Sequence, residues 1–246
     1  MKKILISLLF LSTLFQPVAY ALDFFDAGLP DRLFVLGVRA GVNTSNLSDN
    51  YSSSIQDMRW THNQWKAGMS MGLVCDINIR NFLTLQPGFF FQRRNHDYKY
   101  MLTNDNADYI TYYEGNRSST YFQIPILASV RTEINEYIQW QVDFGPYFLY
   151  GLGGDDKYEC LSIQMLSELE RVQSFTNKKD YFGDDGAVKD YDWGFKIGTG
   201  LVILEHYYVG VHYEAGCRNV LKAVEDSRKK YSGHNKAWQF TVGYNF

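Results

Sequence analysis

Eight segments of this chain alternate apolar and polar residues with a period of two, and a period of two belongs to strands. In the last of them, KAWQFTVGYNF over 236–246, Trp238, Phe240, Val242, Tyr244 and Phe246 share one face, with Gln239, Thr241, Gly243 and Asn245 between them. WKAGMSMGLVCDI, from Trp65, sets Trp65, Ala67, Met69, Met71, Leu73, Cys75 and Ile77 against Lys66, Gly68, Ser70, Gly72, Val74 and Asp76. The others are 32–42, FLTLQPGFFFQRR from Phe82, TYFQIPILASVR from Thr120, YIQWQVDFGPYFLYG from Tyr137, DWGFKIGTGLVI from Asp192 and YYVGVHYEAG from Tyr207. With no long helical period, the expected fold is all-β.

The links between these segments alternate in length. Those at 78–81, 132–136 and 204–206 are short, whereas those at 43–64, 94–119, 152–191 and 218–235 are long. Strict alternation gathers every long loop at one end of an antiparallel meander, the layout of outer-membrane barrels with short periplasmic turns and long extracellular loops. A secreted lipocalin-like barrel also alternates, with its apolar face inward. Two further features favour a membrane barrel. Glycines such as Gly37, Gly41, Gly72, Gly198, Gly200, Gly210 and Gly243 crowd the polar face, which suits a narrow interior. Trp65, Trp140, Trp193, Trp238, Tyr207 and Tyr244 lie toward strand ends of the apolar face, as interfacial girdles do. The expected architecture is an eight-stranded antiparallel up-and-down transmembrane β-barrel.

The chain opens MKKILISLLFLSTLFQPVAYA: two lysines, about a dozen apolar residues, then Ala19-Tyr20-Ala21 in the small-x-small form read by signal peptidase. Residues 1–21 are therefore expected to be a cleaved leader, leaving 22–246 as one barrel domain. Without Lys2 and Lys3 the balance is 22 bases against 27 acids, a net of −5, which argues against a general nucleic-acid binder.

GVRAGVNTSNLS at Gly37, LTLQPGFFFQRR at Leu83, YFQIPILASVR at Tyr121, FGPYFLYG at Phe144 and the terminal aromatic together resemble the PorT-like porin-family outer-membrane β-barrel proteins common in Bacteroidota. Their order and spacing carry the resemblance, which extends over essentially the whole mature chain. It implies residence in the bacterial outer membrane, contact with outer-membrane lipid and lipopolysaccharide, and delivery by the barrel-assembly machinery. Trp238, Phe240, Val242, Tyr244 and Phe246 resemble the terminal signal which that machinery recognises.

An eight-stranded barrel is just wide enough for its own side chains, so "porin" does not imply an open channel. Parity turns Arg39, Lys66, Asp76, Asp143, Lys196, His212 and Glu214 inward as a polar lumen network. Antiparallel pairing about Glu205 sets Lys196 opposite Glu214, Gly198 opposite His212, Gly200 opposite Gly210 and Asp192 opposite Arg218. In the third long loop, Leu161, Met165 and Leu169 have helical spacing and predict a short amphipathic helix. The fourth carries Arg218, Lys222, Arg228, Lys229 and Lys230, a basic set suited to lipopolysaccharide phosphates or to its acidic neighbour. These outer loops are where a protein partner would also bind. Cys160 and Cys217 both fall at the outer end and could form a disulfide, with Cys75 apart on the lipid face.

Five histidines are present, but no serine matches one in depth on the same face of a neighbouring strand. Neither a phosphate loop nor a spaced metal-ligand cluster appears, and Asp155-Asp156 with Asp184-Asp185 lack the order of a calcium loop. The expectation is a protein with no cofactor, no metal and no catalytic residues, having a structural or interaction role. An accessory part of a secretion or assembly complex and a lipid-modifying enzyme are the alternatives.

Overall fold

The structure, a computed structural model, describes residues 26–49, 58–103, 109–166, 169–182, 188–222 and 232–246. The expected leader lies outside the described residues, as do Arg228, Lys229, Lys230 and Asp184-Asp185. The strands in chain order are β1 (Phe34–Asp49), β2 (Met58–Arg80), β3 (Leu83–Thr103), β4 (Tyr109–Asn135), β5 (Ile138–Leu166), β6 (Leu169–Asp180), β7 (Tyr191–Ile203), β8 (Tyr207–Gly216) and β9 (Gly233–Asn245).

Eight of them close a ring in the order β1-β2-β3-β4-β5-β7-β8-β9, every neighbour antiparallel. The ring shuts where β1 meets β9, from Gly37 opposite Asn245 to Asp49 opposite Gly233. Closure pairs every wall strand on both sides, which a backbone surrounded by hydrocarbon requires. The outward positions are apolar and exposed: Val42, Met69, Met71, Leu73, Phe89, Phe144, Phe195, Ile197, Phe240 and Val242 form the band. Trp193 and Trp238 lie toward its outer edge and Tyr137, Tyr207 and Tyr244 toward the end with the short turns. The terminal face of Trp238, Phe240, Val242, Tyr244 and Phe246 is exposed on the outside of the wall. Inside, the buried groups are mostly polar or charged, the reverse of a soluble protein.

The long loops contain far more strand than their sequence suggests. β2 begins at Met58, β3 runs to Thr103, β4 starts at Tyr109 and β5 continues to Leu166, so neighbouring strands pass the aromatic edge as an extramembrane sheet. The helix expected around Leu161, Met165 and Leu169 is absent. Its first part belongs to β5, which pairs with β4 as far as Tyr109 opposite Gln164, and its second part is β6. Leucines at that spacing fit either period locally; the neighbouring β4 supplied the hydrogen bonds that settled it. β6 lies outside the ring, paired along the outer half of β5 from Asp155 opposite Asp180 to Leu166 opposite Leu169.

Two irregularities redirect side chains. An extra residue in β2 between Lys66 and Met69, against Asn95 and Arg93 of β3, reverses the parity of β2 relative to β3. Lys66 is consequently not part of the lumen: its side chain is 44% exposed and pairs at 3.0 Å with the outward Asp97. A second bulge, at Gly151–Gly153 of β5 against Thr120–Tyr121 of β4, keeps Asp156, Tyr158 and Cys160 on the inner face beyond it.

Cys75, Cys160 and Cys217 are all free, so the Cys160 to Cys217 bond does not form in this structure. Cys160 is buried, in register with Tyr113 of β4 and Phe175 of β6, whereas Cys217 is exposed just past β8.

Candidate functional site

The lumen is packed in layers. Nearest the short turns, Arg131 Nη2 donates to Asp76 Oδ2 at 2.5 Å and Gln86 Nε2 donates to Asp76 Oδ1 at 2.6 Å. Beside them Arg39 Nη2 donates to Asn245 Oδ1 at 2.7 Å, and the guanidinium lies 4.3 Å from the centre of the Tyr208 ring. This layer opens toward the periplasmic end through a polar cavity of about 400 Å³, bordered by Asp31, Arg32, Arg80, Glu133 and Glu205.

In the middle layer Asp143 gathers three groups. Its Oδ1 accepts from Ser129 Oγ at 2.5 Å and from Gln141 Nε2 at 2.9 Å, and its Oδ2 meets His212 Nε2 at 2.9 Å. Above it Glu214, 1% exposed, binds Lys196 Nζ through Oε1 at 3.1 Å and Arg94 Nη2 through Oε2. Arg94 also donates to Gln92 Oε1, Lys196 to Gln239 Oε1, and Gln239 Nε2 to Ser70 Oγ at 2.8 Å. These contacts span the barrel bore from β3 to β8 and from β7 through β9 to β2.

The glycines of the polar face make room for these groups. A Cβ on Gly210 would lie 2.2 Å from Tyr208 Oη, and one on Gly243 would lie 2.4 Å from Arg39 Cδ.

The outer mouth is closed by an apolar cap. Leu47, Tyr181, Val188, Val220 and Leu221 form one buried cluster, with Phe182 against it. Backbone bonds hold it across the opening: Lys189 N to Val220 O at 2.8 Å, Tyr181 N to Gly154 O at 3.0 Å and Gly151 N to Asp190 O at 2.5 Å. Under the cap, Asp192 accepts from Asn235 Nδ2 at 2.8 Å. Asp192 therefore does not pair with Arg218, because regular pairing of β7 with β8 ends at Gly194 opposite Gly216; Arg218 instead stacks 3.4 Å from the Tyr191 ring centre.

Above the cap the inner face of the extramembrane sheet carries a further cluster. Asp156 accepts from Arg117 Nε at 2.8 Å and Tyr98 Oη at 2.9 Å, and Arg117 lies 4.0 Å over the Tyr98 ring. Burial opposes the Arg117 charge, but Asp156 outweighs it and raises the pKa above the ordinary arginine value. Tyr100 stacks on Tyr113 at 4.6 Å, and burial with the Cys160 contact pushes the Tyr113 phenol up to about 12.

Of the residues expected inside, Arg39, Asp76, Asp143, Lys196, His212 and Glu214 are all buried there, and the register of Lys196 with Glu214, Gly198 with His212 and Gly200 with Gly210 is as expected. Sequence reasoning missed Arg94, Arg131, Gln92, Gln123 and Ser129. Arg94 closes the third segment on the same face as Gln86, Phe90 and Gln92, and carrying the parity of that segment to its last residue recovers it.

Among curated proteins none matches this sequence. Similar solved structures include Ail, the attachment invasion locus protein of Yersinia pestis, in complex with the heparin analogue sucrose octasulfate. It is 12% identical over 87% of this chain and 100% of that one, with a TM-score of 0.40. Neisserial surface protein A is 12% identical over 86% and 97%, TM-score 0.35, and OprG from Pseudomonas aeruginosa 11% over 89% and 98%, TM-score 0.34. The model of the outer membrane protein beta-barrel domain matches residues 26–222. That match spans most of a chain whose described strands close an eight-membered ring, and the chain belongs to the outer membrane protein beta-barrel domain family.

Proposed function

We propose that this outer-membrane barrel is a non-conducting anchor which displays its extramembrane sheet and outer loops to lipopolysaccharide or a protein partner. The observation that carries this reading is the contrast between the two parts. The bore is blocked by the Lys196–Glu214–Arg94 cluster and an apolar cap, while β2 to β6 continue as a sheet beyond the membrane band. β6 forms one margin of that sheet, paired on its β5 side, and a strand margin offers main-chain groups to an added strand. Arg218 and Lys222 supply positive charge near the same end.

The reading includes no catalytic role. Ser129 donates to Asp143 rather than to His212, so the two do not form the serine–histidine pair that nucleophilic catalysis uses. Within the family, a place among PorT-like porin-family members is supported by the motifs at Gly37, Leu83, Tyr121 and Phe144. The terminal Trp238, Phe240, Val242, Tyr244 and Phe246 serve, in this reading, as the assembly signal after removal of the leader.

The test combines two measurements on the whole protein. In planar bilayers the folded barrel should give no sustained current, and a photo-crosslinker at Thr176 of β6 in intact cells should capture lipopolysaccharide or a surface protein. Stable open-channel currents, or a crosslinker that reports water alone at Thr176 and at Leu161 of β5, overturn the reading.

A further inference from the structure

We infer that the lumen holds one small monovalent anion, of the size and charge of chloride, beside Arg39. A cavity of about 20 Å³ separates the layer nearest the short turns from the middle layer; Arg39, Lys196, His212, Tyr208, Thr241 and Gln86 border it. A single water-sized occupant needs roughly 10–15 Å³. Three basic side chains line the space, and no carboxylate does. Lys196 and His212 each have an acidic partner on another side, Glu214 and Asp143. Arg39 makes no direct ion pair among the described residues; Asp76 and Asp143 act on it only from beyond ion-pair range and are each held by other partners. Its guanidinium donates to three neutral acceptors, Asn245 Oδ1 at 2.7 Å, Val38 O at 3.1 Å and Tyr244 O at 3.4 Å, although the residue is only 4% exposed.

A buried ion without a counter-charge is costly, and neutral acceptors compensate it incompletely. The Tyr208 ring under the guanidinium helps, but its hydroxyl is buried and has no hydrogen-bond partner. An anion in the cavity meets both needs at once: it accepts from Tyr208 Oη and neutralises Arg39. The lining excludes a cation by charge, and the volume excludes polyatomic anions such as gluconate. Asn245, which holds Arg39, also borders the large periplasmic cavity, so entry is from the periplasmic side.

The probe is the ion itself, with folded protein in detergent micelles. At constant ionic strength, replacing gluconate by chloride or bromide should raise the urea midpoint along a saturating curve. Tyr208→Phe keeps the ring and loses the hydroxyl, and should weaken the apparent affinity by roughly ten- to a hundredfold, the worth of one hydrogen bond to a charged group. Arg39→Met should abolish the effect. Because Arg39→Met removes a buried side chain and can prevent folding, crystals soaked in bromide provide an independent reading. An anomalous peak within hydrogen-bond distance of Tyr208 Oη supports the site. Equal midpoints in chloride and gluconate, a salt effect that does not saturate or is unchanged in Tyr208→Phe, or a cavity without anomalous signal overturns it.

Discussion

Lys196 and Glu214 face each other across β7 and β8, Nζ to Oε1 at 3.1 Å, inside a wall that excludes solvent from both. Glu214 also holds Arg94, so one carboxylate serves two cations. Removing it leaves two buried positive charges facing one another. We expect Glu214→Ala to lower stability by about 3–5 kcal/mol and to admit small ions. Lys196→Met should cost less, since Arg94 keeps its partner, and Glu214→Ala with Lys196→Met should recover part of the loss. Urea unfolding in micelles and planar-bilayer current read these; an unchanged midpoint and silent bilayer in Glu214→Ala would show that the cluster does not hold the lumen shut.

The β7–β8 turn offers a change in the opposite direction. Leu204 and Glu205 have φ of 52° and 62°, the left-handed region, and the flanking His206 N to Ile203 O bond is 3.2 Å. Two consecutive positive φ values are those of a type I′ hairpin turn, which favours Asn-Gly and penalises side chains with a bulky Cβ. Leu204→Asn with Glu205→Gly should therefore raise stability by about 1 kcal/mol and leave the barrel's heat-modifiable gel mobility intact. A lower midpoint would mean that Leu204 makes a compensating contact.

Gly210 exists to admit Tyr208. Gly210→Val pushes a side chain against the Tyr208 ring and should cost about 1–3 kcal/mol by overpacking. The cost should fall when Tyr208 is also replaced by Ala, which frees the space. Strictly additive effects in that double-mutant cycle would disprove the steric coupling.

Asp97 gives the extramembrane sheet an acid limb. Burial alone would push its carboxyl up, but Asn116 Nδ2 at 2.5 Å and Lys66 Nζ at 3.0 Å hold it below the ordinary value of 3.8. A carboxylate depressed in the folded state contributes stability that is present above its unfolded value and lost as pH falls through the lower folded value. The difference between wild type and Asp97→Asn should be constant above about pH 5 and shrink as pH falls through the ordinary value and on through the lower folded one. It should stay under ~1 kcal/mol because solvent reaches both partners and screens the pair. A gap that widens on acidification would reverse the assignment.

The thiols should separate by accessibility. In protein isolated without reductant all three should titrate, Cys217 in the native state and Cys160 only after unfolding, because Cys217 is exposed and Cys160 buried. A count of one free thiol by mass spectrometry would indicate a bond that this structure does not contain.

The period of two and the alternating lengths of the links were enough, without coordinates, to specify eight membrane strands, their order and the β7–β8 register. Parity alone carries that information: shifting Lys196 or Glu214 by one residue would place a charge in lipid. The same parity turns Arg39, Asp76, Asp143, Lys196, His212 and Glu214 inward, and all six are buried. Lys66 escaped it because the bulge beside Met69 depends on how β2 meets β3, two strands whose pairing no local pattern records. The extension of β2 to β5 beyond the membrane, and the strand in place of a helix at Leu161, also lay outside local information. Tyrosine-rich and leucine-spaced stretches satisfy more than one period until a neighbour offers hydrogen bonds. The sequence by itself determined which face of each strand meets lipid, because the bilayer tests every second residue independently. Tertiary structure alone decided which buried charges share a partner, how the mouth is capped and where Arg39 is left without a direct ion pair, because those relations join side chains from strands distant in the chain.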